Sequence, residues 1–155
     1  MADRVVVLMG SGSDEEHAKK IGATVEEFGL KAEYRVASAH KTPEKVLSVL
    51  KELEDSGDRI VLVAVVGLSN ALSGMLAGQS VFPIVTCPVF AREDLFSSLR
   101  MPSDVPHAVV LNPKNAALEA LRILALSNGE LKKKLVAHRQ KARGKVERAD
   151  EKLRA

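Results

Sequence analysis

The chain has 155 residues, 46% of them apolar, a formal charge of +3 and a single cysteine, enough for one ordinary hydrophobic core in a single domain spanning 1–155. Cys87 alone forms no internal disulfide, no basic segment with an apolar signal core opens the sequence, and the longest apolar run, residues 60–68, is about half of what a bilayer-spanning helix needs. These features argue against export and membrane insertion, and the expectation is a soluble protein of the cytoplasm.

The first predicted element is a strand at 4–9 ("RVVVLM"), followed by a helical pattern at 13–28 that Gly29 ends. A second strand is expected at 32–37 and a helix at 43–55. Thr42 stands as N-cap of that helix, Pro43 in its first turn, and Val46, Leu47, Val49, Leu50 and Leu53 form its apolar face. Then come a strand at 60–66, a helix at 70–78, strands at 83–86 and 108–111, and a helix at 114–127 stopped by Asn128 and Gly129. Short apolar strands alternating with helices predict a parallel sheet. Strands this apolar require cover on both faces, so the fold class is α/β, a three-layer α/β/α sandwich around five parallel strands.

From 129 to 155 the pattern changes to one long charged helix, an extension with ten Lys or Arg against four acids, which leaves the preceding part at about −3. Leu131, Leu135, His138, Ala142, Val146, Ala149 and Leu153 make a stripe along it. The stripe docks on the body or on a neighbouring subunit, or else the helix is solvated and frays. A basic tail suits nucleic acid, but four Phe, one Tyr and no Trp supply few stacking platforms, so nucleic acid is not the expected partner.

In open parallel sheets ligands bind beyond the carboxyl ends of the strands. Three polar stretches fall on that edge: "GSGSD" at 10–14 after strand one, "SAHKT" at 38–42 after strand two, and "GLSNALSG" at 67–74 after strand three. The first exposes backbone N–H groups at a helix start, with Ser11 and Ser13 as further donors, which suits a phosphate; its plainer reading is a tight turn capped by Ser13 or Asp14. It matches neither common nucleotide fingerprint, since Glu15 stands where a third glycine belongs and no Gly-Lys-Ser/Thr follows. Asp14 suits a pair of ribose hydroxyls and Lys41 a phosphate. His40 is the side chain in these loops able to take and give a proton near neutrality. The other histidines are assigned no catalysis: His17 on an exposed helix face, His107 before strand five, His138 in the tail stripe. Cys87 is expected to be a small buried residue. No spacing of His, Cys and carboxylates marks a metal site.

Together with "SSLRMPS" at 97–103 and "NPKNAA" at 112–117, these stretches give the chain a resemblance to the phosphoribosylaminoimidazole carboxylases and carboxyaminoimidazole ribonucleotide mutases of purine biosynthesis, over nearly its whole length. "AHKT", "SNALSG" and "SSLRMPS" are similar to the branch that uses carbon dioxide directly; the mutase branch typically carries "AHRTP" and a second histidine in its third loop. The resemblance implies a flavodoxin-like fold with no cofactor and no metal. It implies carboxylation of aminoimidazole ribonucleotide at C4, with His40 as the base that removes the ring proton. Ser11, Ser13, Ser38 and Lys41 would hold the phosphate, Asp14 the ribose hydroxyls, and Gly67, Ser69 and Asn70 the wall near the ring and carbon dioxide. Gly10 and Ala39 belong to the same substrate-contacting stretches. Such enzymes are similar in assembling as homo-octamers with sites at subunit junctions. The mutase and a flavodoxin-like module that binds a phosphate-bearing ligand without turnover are the competing readings.

Overall fold

The computed structural model describes residues 1–89 and 94–154. Strands β1 (Asp3–Met9), β2 (Ala32–Val36), β3 (Arg59–Val66), β4 (Ile84–Pro88) and β5 (Ala108–Val109) form one parallel sheet in the order β2-β1-β3-β4-β5. The helices are α1 (Glu15–Glu27), α2 (Pro43–Asp55), α3 (Leu72–Gln79), α4 (Phe96–Leu99), α5 (Pro113–Leu124) and α6 (Gly129–Arg154).

Strand alternation sorts the apolar residues into two cores. Val5, Val7 and Met9 of β1 join Val61, Val63 and Val65 of β3 against α1 and α5. Val6 and Leu8 join Ile60, Leu62, Ala64 and Val66 against α2 and α3. Both faces are therefore covered, as strands without polar alternation demand, and each buried Leu or Val contributes about 1.5–3 kcal/mol.

All five expected strands are present, with ends that differ. β4 runs on through Cys87 to Pro88, which pairs with Val66; as the last residue, Pro88 withholds an N–H only where the ladder stops. β5 has two residues rather than four, although Val110 N still donates to the Thr86 carbonyl. Helix α4, which runs from Phe96 into the start of "SSLRMPS", has four residues and is too short for periodicity to reveal.

Helix α6 is capped by Asn128, whose Oδ1 accepts from Leu131 N (2.9 Å) while its Nδ2 donates to Asp3 Oδ2 (2.6 Å). Leu131 is buried, Leu135 is half-buried, and His138 lies with its ring 5.3 Å from that of Phe28. Lys134 Nζ donates to the Phe28 carbonyl just beyond the end of α1. Beyond these turns Val146 and Leu153 are exposed, so the stripe docks at its beginning and is bare along its end. Ala155, the last residue of the expected extension, lies outside the described residues.

At the amino edge of the sheet the nearly buried Asp3 carboxylate accepts from Arg59 Nε (2.5 Å) as well as from Asn128. Burial pushes its pKa upward, but the hydrogen bonds from Arg59 and Asn128 and the charge of Arg59 outweigh it, holding it below the ordinary carboxylate range. A folded pKa below the unfolded one adds stability that is complete above the unfolded value and lost as pH falls through the folded one. Urea unfolding between about pH 7 and pH 2 is expected to show the advantage of the native protein over Asp3→Asn shrinking with acidification. An advantage that does not change with pH would contradict that role.

Candidate active site

Because all five strands run the same way, the loops after β1, β2 and β3 leave from one edge, and those three strands are neighbours. At about 4.8 Å per strand spacing, the roots of the outer two loops are separated by roughly 10 Å. Backbone bonds tie the roots together: Gly10 N donates to the Val65 carbonyl (3.2 Å) and Ala37 N to the Met9 carbonyl (3.0 Å). Strand order reverses between β1 and β3, the place in such sheets where a crevice opens.

Local sequence shapes each loop. After β1, Gly12–Asp14 form one tight 3-10 turn before α1 begins at Glu15. Ser11, rather than Ser13 or Asp14, is the cap: its Oγ accepts from Ser13 N (3.3 Å) and from Ser13 Oγ (2.9 Å). Gly12 and Ser13 are exposed. A Cβ at Gly10, Gly12 or Gly67 would meet no atom within 4 Å, so the chain's own packing does not require these glycines; the space above them is open to a ligand.

After β2, Thr42 occupies the N-cap position of α2 but does not cap with its side chain. Its hydroxyl turns back, accepting from Ser38 N (3.0 Å) and donating to the Ser38 carbonyl (3.3 Å), while Ser38 Oγ accepts from Lys41 N (3.2 Å). The capping group is thereby diverted to hold a turn that carries Ala39, His40 and Lys41. His40 and Lys41 are exposed at its tip, and His40 makes no hydrogen bond among the described residues.

After β3, Gly67 is half-buried and Ser69 exposed, and Leu68 between them has φ of 31° in the left-handed region. Asn70 is 7% exposed and committed to its own chain: its Nδ2 donates to Ser98 Oγ (3.0 Å) and its Oδ1 accepts from Ser73 N (3.0 Å). Its amide therefore holds the loop against α4 and α3, leaving Gly67 and Ser69 to face outward.

A family model described as AIR carboxylase matches residues 4–145. The chain belongs to the AIR carboxylase family. It is an enzyme family of purine biosynthesis. The chain is similar to a phosphoribosylaminoimidazole carboxylase of Archaeoglobus fulgidus, 42% identical over 155 residues, covering 97% of this chain and 85% of that one. One from Treponema denticola is 41% identical over 158 residues, with 99% of each chain covered. The crystal structure of Treponema denticola PurE superposes with a TM-score of 0.94 at 41% identity, covering 99% of both chains. The flavodoxin-like architecture expected from the sequence is the one observed.

In this AIR carboxylase fold the other histidines are engaged. His17 is not on an exposed face as expected: it is half-buried, with Nε2 3.3 Å from Cys87 Sγ. Burial, then the charge of Lys20, lowers its pKa against the opposing effect of Asp14, and burial pushes the Cys87 thiol up to about 12. Both groups are thus neutral near pH 7, and the pair is a packing contact rather than an activated thiolate. Native protein is expected to react with a thiol reagent at pH 8 at least about a hundredfold more slowly than urea-unfolded protein; equal rates would contradict the assignment. His107 sits against Thr86, and His138 against Phe28. The sequence could not signal these contacts, because each joins residues from distant parts of the chain.

Clefts of about 360 Å³, beside α4 and β5, and about 970 Å³, between α5 and α6, contain no residue of the three loops. In one chain Gly12, Ser13, His40, Lys41 and Ser69 are all exposed, so the site is an open shelf.

Proposed function

We propose that the chain carboxylates 5-aminoimidazole ribonucleotide at C4 with carbon dioxide, giving 4-carboxy-5-aminoimidazole ribonucleotide. The observation that carries this reading is that, of four histidines, His40 alone stands exposed and unengaged at the edge where the strand order reverses. The electron-rich C4 forms a bond to the carbon of carbon dioxide, one C–O π pair moves onto oxygen, and the ring becomes cationic. His40 then takes the C4 proton and restores the aromatic ring, and it returns that proton when the reaction runs backward. Ser11, Ser13, Ser38 and Lys41 hold the phosphate, Lys41 as a point charge rather than a two-pronged donor. Asp14 accepts from the ribose hydroxyls, and Gly67 and Ser69 flank the ring. "AHKT" and "SNALSG" support direct use of carbon dioxide over the mutase reaction.

A shelf leaves much of a nucleotide wet, whereas small-molecule sites bury most of their ligand. Leu68, Phe96 and Leu99 are 77%, 71% and 55% exposed at its rim. A homo-octamer with sites at subunit junctions supplies cover for both, and the cytoplasm is its expected location. No helix among the described residues is long and apolar enough to cross a membrane.

Purified protein is to be incubated with aminoimidazole ribonucleotide and bicarbonate, and separately with the N5-carboxylated isomer. Product from the first mixture is the expected result. Turnover of the isomer alone would establish the mutase instead, and turnover of neither would leave a binding module.

A further inference from the structure

Behind the third loop lies a chain of hydrogen bonds drawn from five parts of the fold. Asn70 Nδ2 donates to Ser98 Oγ (3.0 Å) and Asn70 Oδ1 accepts from Ser73 N (3.0 Å). Thr86 Oγ1 donates to Ser73 Oγ (2.7 Å) and lies 2.6 Å from His107 Nδ1. His107 and Ser98 line the same cleft beside α4 and β5, so the bonds run from Ser98 through Asn70, Ser73 and Thr86 to His107. Ser73, Thr86 and Ser98 are no more than 1% exposed, and no buried side-chain N or O among the described residues is left unpaired. Ser97 extends the chain outward: its Oγ accepts from Asn70 N (2.9 Å), and its one proton is shared between the carbonyls of Asp94 (2.8 Å) and Leu68 (3.2 Å), the latter the residue whose backbone is left-handed.

A buried network satisfied at every member fixes one arrangement, because slipping any member strands a polar group without water. Leu68 adopts a conformation that L residues enter only when their surroundings impose it. Ser97 on α4 touches the loop on both sides of Ser69, at the Leu68 carbonyl and at Asn70 N. His107 fixes Thr86 of β4 at one end of this chain, which reaches Ser98 of α4 through Ser73 and Asn70.

We propose that His107 is a positioning residue for the carboxylation: acting through Thr86, Ser73 and Asn70, it holds Gly67–Ser69 at the height where they confine the ring and carbon dioxide. The assignment rests on the functional reading above. His107 does not touch substrate. Phosphate affinity comes from the loops after β1 and β2, so disturbing His107 affects capture of carbon dioxide more than binding of the ribonucleotide.

The test compares His107→Phe, His107→Asn and Ser98→Ala with the native enzyme. In His107→Phe the kcat/KM for carbon dioxide is expected to fall about tenfold or more, since small misplacements in a site carry such penalties, while the dissociation constant of aminoimidazole ribonucleotide changes less than about threefold. His107→Asn, which keeps a polar atom toward Thr86, recovers part of the loss. Ser98→Ala, which leaves the backbone intact but cuts the bond from Asn70, reproduces the defect even where His107→Phe fails to fold. A lowered Tm with unchanged kcat/KM for carbon dioxide in these variants would overturn the proposal. Amide hydrogen exchange at Asn70 and Ser73 reads these hydrogen bonds without turnover. Faster exchange in Ser98→Ala shows that these bonds hold the loop even if the native protein carboxylates nothing, a result that would count against the functional reading; unchanged exchange overturns the positioning role.

Discussion

His40→Asn is expected to lower the rate of carboxylation by about 10²–10⁴-fold, the usual contribution of a positioned proton-transfer group, while aminoimidazole ribonucleotide still binds within a few-fold of its native affinity. Asparagine keeps a polar side chain of comparable reach but has no basic nitrogen at neutral pH. His40 is exposed and makes no hydrogen bond among the described residues, so the substitution removes no packing, and stability should change by less than about 0.5 kcal/mol. Turnover measured beside ligand titration separates the two effects. Loss of binding in proportion to loss of rate would make His40 a ligand-holding residue, and an unaffected rate would remove it from the chemistry.

Leu62→Ala carries the largest expected cost to stability, about 2–5 kcal/mol, or roughly 5–15 °C in Tm for a chain of this length. Leu62 is fully buried in β3, paired on one side with Val6 of β1 and on the other with Ile84 of β4, within the core that packs α2 and α3 on the sheet. Strands on both sides limit how far the sheet can close over the void. Leu153→Ala is the control: Leu153 is 88% exposed near the end of α6, and its loss should shift stability by less than about 0.5 kcal/mol. A large effect at Leu153 in the isolated protein would mean that a partner surface covers the bare end of α6, and a small effect at Leu62 would mean that the core relaxes around it.

The strands were legible because β1 and β3 are apolar on both faces, and a run such as residues 60–66 has few other soluble fates. The placement of three polar loops on one edge follows from parallel pairing alone. What the sequence concealed lies in competition among side chains. Thr42 has the identity and position of an N-cap, yet its hydroxyl goes to Ser38, because the loop offers that oxygen a nearer pair of backbone partners. Ser11 outcompetes Ser13 and Asp14 as a cap since the first turn is 3-10 rather than α. Asn70 was legible as a polar loop residue, but its commitment to Ser73 and Ser98 depends on α4, a four-residue helix with no periodic trace. His17 was misplaced for a related reason: its neighbours Glu15, Glu16 and Lys19 suggest a wet face, while α1 rotates the imidazole toward β4 and Cys87.

The central claim is that the three loops gather one ribonucleotide around His40. The most direct test is a crystal structure of His40→Asn, which should trap the reactants, soaked with aminoimidazole ribonucleotide. The account predicts the phosphate against Ser11, Ser13, Ser38 and Lys41, with the ring's C4 within hydrogen-bonding reach of residue 40. A nucleotide seated in the cleft between α5 and α6, or with its ring turned away from residue 40, would contradict it.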